Sequence, residues 1–160
     1  MGGPRAGLMG RDARRMSRRS PPQPDGGWLP GALIVKPSRI DGRGLFARRR
    51  IEARHKIGEI IGDVIPEREA RRRAGRLRRF AIVERGDGTA VDATDTDNYF
   101  RSINHACSPN AYIRIAYGHV EFYALRDIRA GEEITCDYGA DSHGGRLRCR
   151  CGSAGCRGTL

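Results

Sequence analysis

No stretch of this 160-residue chain is apolar for long enough to cross a bilayer. The longest run, around Ala32 to Val35, is about five residues, against the roughly 20 that a transmembrane helix needs. The N-terminus also lacks an apolar h-region, so no secretory signal is expected. Lysine is nearly absent: of 30 basic residues only Lys36 and Lys56 are Lys, and 28 are Arg. Cysteine, at five, is too scarce for a disulfide scaffold and too frequent to be incidental. There is no internal repeat, no βαβ alternation and no run of helical periodicity long enough for a helical domain. Hydrophobic residues make up 38%, low but above the range of a fully disordered chain. What remains is a small, basic, intracellular protein with one modest core and thiols available for a metal or for catalysis.

The net charge of +11 is local. Residues 1–30 carry six Arg and two Asp, residues 66–80 carry seven Arg and two Glu, and the other 115 residues carry only +2. Residues 1–27, rich in Gly, Pro, Ser and Arg, are expected to form a disordered basic tail. They have too little apolar surface to offset the entropy of ordering. Met9 and Met16 offer later starts. Such a tail suits nucleic acid or an acidic partner, or is an extension without function; its Pro and Gly content argues against a transit peptide.

The ordered part reads as mainly β, with short strands joined by Gly-rich turns. It begins at Trp28. Leu33–Val35 and Leu45–Ala47 form strands flanking a tight turn at Asp41–Gly44. Ile57 to Ile65 is β-rich, and its interior glycines, Gly58 and Gly62, suggest bulges or close backbone approach. One short helix is expected near 67–79, with Pro66 at its start, Glu67 and Glu69 in its first turn and Arg residues after them. Phe80–Val83 and Thr89–Val91 read as a hairpin across Arg85–Gly88. Tyr112–Ile115 and His119–Ala124 form a second pair, and Ile134–Cys136 a last short strand.

Cys149, Cys151 and Cys156 form a C-x-C-x4-C cluster. Three thiolates this close wrap readily around a tetrahedral Zn²⁺, which takes four N or S ligands. Gly152, Gly155 and Gly158 allow the tight wrapping. Few apolar residues follow Gly139, so this segment should not fold without metal. The fourth ligand must come from elsewhere, and Cys107, Cys136, His105, His143 and His119 are the candidates.

Asn104-His105-Ala106-Cys107-Ser108-Pro109-Asn110 resembles the N-H-S-C-x-P-N motif of SET-domain protein methyltransferases. Three more segments match in order. Asp41–Ala47 is similar to the family's first cofactor motif, Gly131–Gly139 to its G-E-E-L-T-x-D-Y-G segment, and Cys149–Leu160 to its post-SET zinc segment. The resemblance spans about residues 30–160. It implies a β-clip-like fold of small curved sheets with the C-terminal segment threaded through a pseudoknot. The SET domain would occupy 28–143 and the post-SET segment 144–160. It further implies a zinc site of Cys107, Cys149, Cys151 and Cys156, leaving Cys136 outside.

The reaction so implied moves a methyl group from S-adenosylmethionine to a lysine ε-amine of a protein substrate. With an ordinary pKa of about 10.4, that amine must be desolvated and held neutral. By the same resemblance Tyr138 is the catalytic residue, orienting the amine and facing the sulfonium or its methyl group. Gly42, Arg43 and Gly44 would present backbone to the cofactor, and Asn104 and His105 would hold its adenosine end. Arg101 and Ser102, standing where the family has Arg-Phe, would lie beside it, and Asn98 matches a further motif position.

Two departures fall on the lysine channel. Ile60 replaces the aromatic of the family's E-Y-x-G segment, leaving Tyr99, Phe80 or Tyr123 to supply a wall. Cys136 stands at the Phe/Tyr position that tunes product multiplicity. A roomier, less polar channel is expected, with di- or trimethylation within reach. A second functional reading is a non-catalytic, zinc-stabilised SET-like module. In either case the arginines between 71 and 79 suggest an anionic partner, nucleic acid or acidic protein, and disfavour a free lysine-rich peptide. No membrane partner is expected. A bacterial chain would be cytoplasmic; otherwise a nuclear or chromatin-associated location is expected.

Overall fold

A computed structural model describes residues 29, 31–77, 79–139 and 147–160. The expected N-terminal tail, Trp28, Arg78 and His143 lie outside the described residues. Strands β1 (Leu33–Pro37) and β2 (Arg43–Ala47) pair antiparallel from Leu33 against Ala47 to Pro37 against Arg43. The turn therefore ends two residues earlier than the sequence suggests, because Arg43 and Gly44 already belong to the ladder. The β-rich run from 57 to 65 is not one strand. It divides into β3 (Lys56–Glu59) and β4 (Asp63–Pro66), which join different sheets. The two glycines mark the division. The β3 register shifts between Lys56 and Gly58. At Gly62 a Cβ would lie 2.1 Å from the Asp92 carbonyl oxygen, a backbone approach that only glycine permits.

Helix α1 (Glu67–Ala74) is shorter than expected. Pro66 supplies extended backbone at its start, and Glu67 and Glu69 complement the positive N-terminus. Gly75 ends it, and beyond it Leu77 is the single apolar residue before Phe80, too little to bury another turn. Strand β5 is correspondingly displaced to Ile82–Glu84 and pairs with β6 (Thr89–Asp92), which also pairs with β4. Strands β8 (Ala111–Ala116) and β9 (His119–Ala124) form the second expected hairpin, and β3 completes their sheet.

Two elements escape a sequence reading, a 3₁₀ turn over Tyr99–Ser102 and β7, only Asn104–His105. The last strand, β10 (Glu133–Cys136), lies between β2 and β7 in the order β1-β2-β10-β7. It runs antiparallel to β2 and parallel to β7, pairing Thr135 with Asn104 and Cys136 with His105. This interleaving of late strand between early and middle ones is what the implied threading requires. Leu45, Ile51, Ile57, Val120, Phe122, Ile128 and Ile134 fill the main core, where Phe100 stacks on Phe122 at 5.0 Å. The core underlies β2, β7 and β10 together, so the segments bearing the motifs share one rigid support. No helix among the described residues is long and apolar enough to cross a membrane.

Candidate active site

The Asp41–Gly44 turn is held from below by Asn104. Its buried amide Nδ2 donates to the carbonyl oxygens of Asp41 and Arg43, both at 3.1 Å, and to Glu133 Oε1 at 2.8 Å. Glu133 also accepts from Ser38 Oγ at 2.8 and 2.9 Å. Gly44 makes this arrangement fit, since a Cβ there would lie 2.1 Å from Glu133 Oε1. Gly42 has φ +44°, and the space a Cβ would fill is taken by the Arg79 guanidinium, itself 3.8 Å from Asp41. The Asn104 side chain thus builds the turn, leaving the turn's backbone as the surface a ligand would meet. Ser38 and Glu133 are missing from the sequence-derived site. The paired acids Glu132-Glu133 at the mouth of β10 were the signal available for them.

Tyr138 stands two residues beyond β10. Its hydroxyl donates to the Ile103 carbonyl at 2.5 Å, and its backbone N–H donates to His105 Nδ1 at 3.2 Å. Burial of the hydroxyl, reinforced by Cys136, Asp41 and Glu133, pushes its pKa up, so it is a neutral phenol at physiological pH. The residue as a whole is nonetheless 38% exposed. His105 is buried, and its Nε2 lies 3.2 Å from Cys107 Sγ. Both its ring nitrogens therefore have partners within the protein. Arg101 is exposed and donates to the Thr96 carbonyl at 2.7 Å, Asn98 caps the 3₁₀ turn by accepting from the Phe100 N–H, and Ser102 is half-buried beside them.

The three expected channel residues sit at different depths. Ile60 and Cys136 are packed in the main core, whereas Tyr99 is 47% exposed. Burial pushes the Cys136 thiol up to about 12, and Asp137 adds to the effect, so it is an uncharged, apolar side chain. Of the alternative aromatics, Phe80 is half-buried, and Tyr123 is committed elsewhere, stacked on Tyr112 and bonded to Glu121 at 3.1 Å.

Cys107, Cys149, Cys151 and Cys156 bring their sulfurs within 4.8 Å of one another. The Cys107–Cys149 separation of 3.8 Å equals the edge of a tetrahedron with metal–sulfur bonds of about 2.3 Å. Backbone N–H groups of Arg157 and Gly158 point at the Cys107 and Cys156 sulfurs, at 3.3 and 3.4 Å, as donors to thiolates do. The donor set and spacing fit zinc. Among the other proposed ligands, Cys136 is buried away in the core and His119 pairs with Glu59 at 2.6 Å. The cysteine-bearing C-terminal segment is further tied to the Tyr138 neighbourhood by a two-pronged ion pair, Arg157 to Asp137, at 2.7 and 3.0 Å. That pairing holds the Asp137 carboxyl below its ordinary range.

Three of the four arginines of α1 are engaged with acids. Arg71 pairs with Glu67 and Glu84, Arg72 with Glu69, and Arg73 with both Glu69 and Asp92. Burial opposes ionisation of Asp92, yet Thr94 and Arg73 hold its carboxyl below the usual range. The charge of Arg71, Arg72 and Arg73, which looks like a free basic face in sequence, is thus compensated within the fold.

The family described as SET domain matches residues 42–139. The chain is 38% identical over 137 residues to a histone-lysine N-methyltransferase, H3 lysine-4 specific, of Schizosaccharomyces pombe, which covers 80% of this chain and 15% of the relative. It is 35% identical over 136 residues to histone-lysine N-methyltransferase 2B of Homo sapiens, covering 79% of this chain and 5% of that protein. A histone-lysine N-methyltransferase, H3 lysine-36 specific, of Candida albicans is 35% identical over 132 residues, or 74% of this chain and 15% of its own length. The chain therefore corresponds to a small part of these much longer relatives.

Proposed function

Because the chain belongs to the SET-domain family, we propose that it is an S-adenosylmethionine-dependent protein-lysine N-methyltransferase acting within the cell. Residues 28–143 form its SET domain and 144–160 a zinc-bound post-SET segment. One observation supports this most directly: the cofactor-motif turn, Asn104–His105 and Tyr138 are cross-linked to one another and to the cysteine cluster by hydrogen bonds. S-adenosylmethionine, when bound, supplies the electrophilic methyl group. The backbone of Gly42, Arg43 and Gly44 and the neighbourhood of Arg101, Ser102, Asn104 and His105 hold it.

Tyr138 orients the amine. Its proton is committed to the Ile103 carbonyl, so the oxygen meets further groups as an acceptor, which suits an amine N–H or a polarised methyl. Because its pKa is raised, the phenol is not the base. Lysine must lose its proton through desolvation and the nearby sulfonium charge, and attack then depends on positioning and exclusion of water. Cys136, Ile60 and Tyr99 are the residues of this sequence that we assign to the channel. Zinc would cross-link the post-SET thiolates to Cys107.

Relatives specific for different histone lysines are about equally similar to this chain, so similarity alone does not select the acceptor. The self-compensated arginines of α1 leave less reason to invoke nucleic acid than the sequence offers, and a protein acceptor is the partner we assign. The test is transfer of labelled methyl from S-adenosylmethionine to proteins of a cell extract, with Tyr138→Phe as control. The expected result is labelled lysine in the wild type, a rate about 100-fold lower in the variant and unchanged cofactor affinity. Absence of cofactor binding by zinc-loaded wild-type protein would instead support a non-catalytic module.

A further inference from the structure

Cys107 is joined to the Tyr138 segment by two separate routes that close into a ring. Along the first, the Tyr138 N–H donates to His105 Nδ1 at 3.2 Å, and His105 Nε2 lies 3.2 Å from Cys107 Sγ. Along the second, the Asp137 carboxylate takes both prongs of the Arg157 guanidinium, and the Arg157 backbone N–H returns to the same Cys107 sulfur at 3.3 Å. His105 Nδ1 also lies 3.5 Å from Asp137 Oδ1, a proximity between two acceptors and not a further link. The ring unites three stretches of chain, 105–107, 137–138 and 157.

The chemistry assigns a direction to each link. Since the Tyr138 N–H can only donate, Nδ1 accepts and the imidazole proton lies on Nε2, aimed at the sulfur. A buried N–H aimed at a thiolate is a charge-assisted bond that sets both the basicity of the sulfur and the angle of the ring. Asp137 does not compete for that proton, because its carboxylate lies on the Nδ1 side of the ring, 3.5 Å from Nδ1.

We propose that His105 is a positioning residue that couples the cysteine metal centre to the backbone of Tyr138, so that metal occupancy and the placement of the catalytic tyrosine form one linked equilibrium. The functional side of the coupling rests on the reading of Tyr138 given above. With metal present, Cys107 is a fixed thiolate, His105 is fixed on it, and the Tyr138 amide is fixed on His105. When metal leaves, the post-SET segment loses its cross-link, Arg157 loses its anchor and the ring opens at two points. Linkage then requires that cofactor binding, if it favours the ordered Tyr138 segment, tightens metal binding by the same factor.

The experiment uses the full chain with Co²⁺ in place of Zn²⁺, read by its thiolate-to-cobalt charge-transfer absorption. Replacing His105 by Phe removes the donor while retaining a ring. The expected results are a shifted charge-transfer band, metal affinity about 10- to 100-fold weaker in chelator competition, and loss of the band change that S-adenosylhomocysteine produces in the wild type. A band in His105→Phe identical to that of the wild type would overturn the proposal. Should that variant fail to fold, ¹⁵N-tyrosine-labelled wild-type protein decides: the Tyr138 amide resonance is expected to move when Zn²⁺ is exchanged for Cd²⁺, and an unmoved resonance refutes the coupling. If S-adenosylhomocysteine does not bind at all, the methyltransferase reading fails, while the cobalt band and the tyrosine amide still test the ring.

Discussion

Gly44→Ala probes the wedge beneath the cofactor turn. The new Cβ would lie 2.1 Å from Glu133 Oε1 and 3.1 Å from the Phe46 ring, so the Glu133 carboxylate must leave. In leaving it gives up Ser38 Oγ and the Asn104 amide. Water replaces part of what is lost, because Glu133 is half-buried, so each donor is counted at about 1 kcal/mol rather than the full charged value. A further ~1 kcal/mol for crowding Phe46 brings the expected loss to about 3 kcal/mol. The decisive assay is a double-mutant cycle in urea. Glu133→Ala alone sacrifices the same two donors and should cost about 2 kcal/mol. Once it is made, only the Phe46 ring still crowds the extra methyl at Gly44, so the double variant should be about 1 kcal/mol worse than Glu133→Ala. A coupling of about 2 kcal/mol is therefore expected. Strict additivity within about 0.5 kcal/mol would show that Glu133 is not what excludes a side chain at Gly44, and the account of the turn would fall.

Three further outcomes are expected. Burial raises the Glu132 carboxyl, but Arg126, the Arg129 N–H and Asn110 outweigh it and hold the pKa near about 2 rather than 4.5. A depressed folded-state pKa gives stability that is complete above about 4.5 and lost as pH falls toward about 2, up to about 3 kcal/mol, so Glu132→Gln should flatten urea midpoints measured from pH 6 to pH 2.5. Arg73→Met would strand the buried Asp92 and cost about 2 kcal/mol, whereas Arg68→Met, which removes no described ion pair, should change the urea midpoint little; equal effects would refute the ion-pair reading. On the proposed assignment of the small, uncharged Cys136 to the channel, mass spectrometry of a fully reacted acceptor should show di- or trimethyllysine, and monomethyllysine alone would contradict that assignment.

Local signals carried much of the fold. The hairpins around Arg85–Gly88 and Tyr117–Gly118 were readable because turn residues and alternating apolar positions are set by nearest neighbours. Helix α1 was placed correctly at its start, where Pro66 and two Glu act locally, and overextended at its end, where stopping depends on what the next turn could bury. The run from Ile57 to Ile65 shows the same limit. Its glycines were recognisable as points of close approach, but which backbone approaches Gly62 is set by Asp92, thirty residues away.

The site divides along the same line. Cys149, Cys151 and Cys156 by themselves declared a metal cluster, since thiolate spacing is a local property, and the motif segments made Cys107 and Tyr138 legible by resemblance. Tertiary structure alone decided that Glu133 fills the space at Gly44, that Arg73 reaches Asp92, and that His105 stands between the Cys107 sulfur and the tyrosine backbone. The first and the last of these depend on residues brought from tens of positions apart by the insertion of β10 between β2 and β7. A chain's pattern records which residues can bond; only the sheet order determines which of them meet.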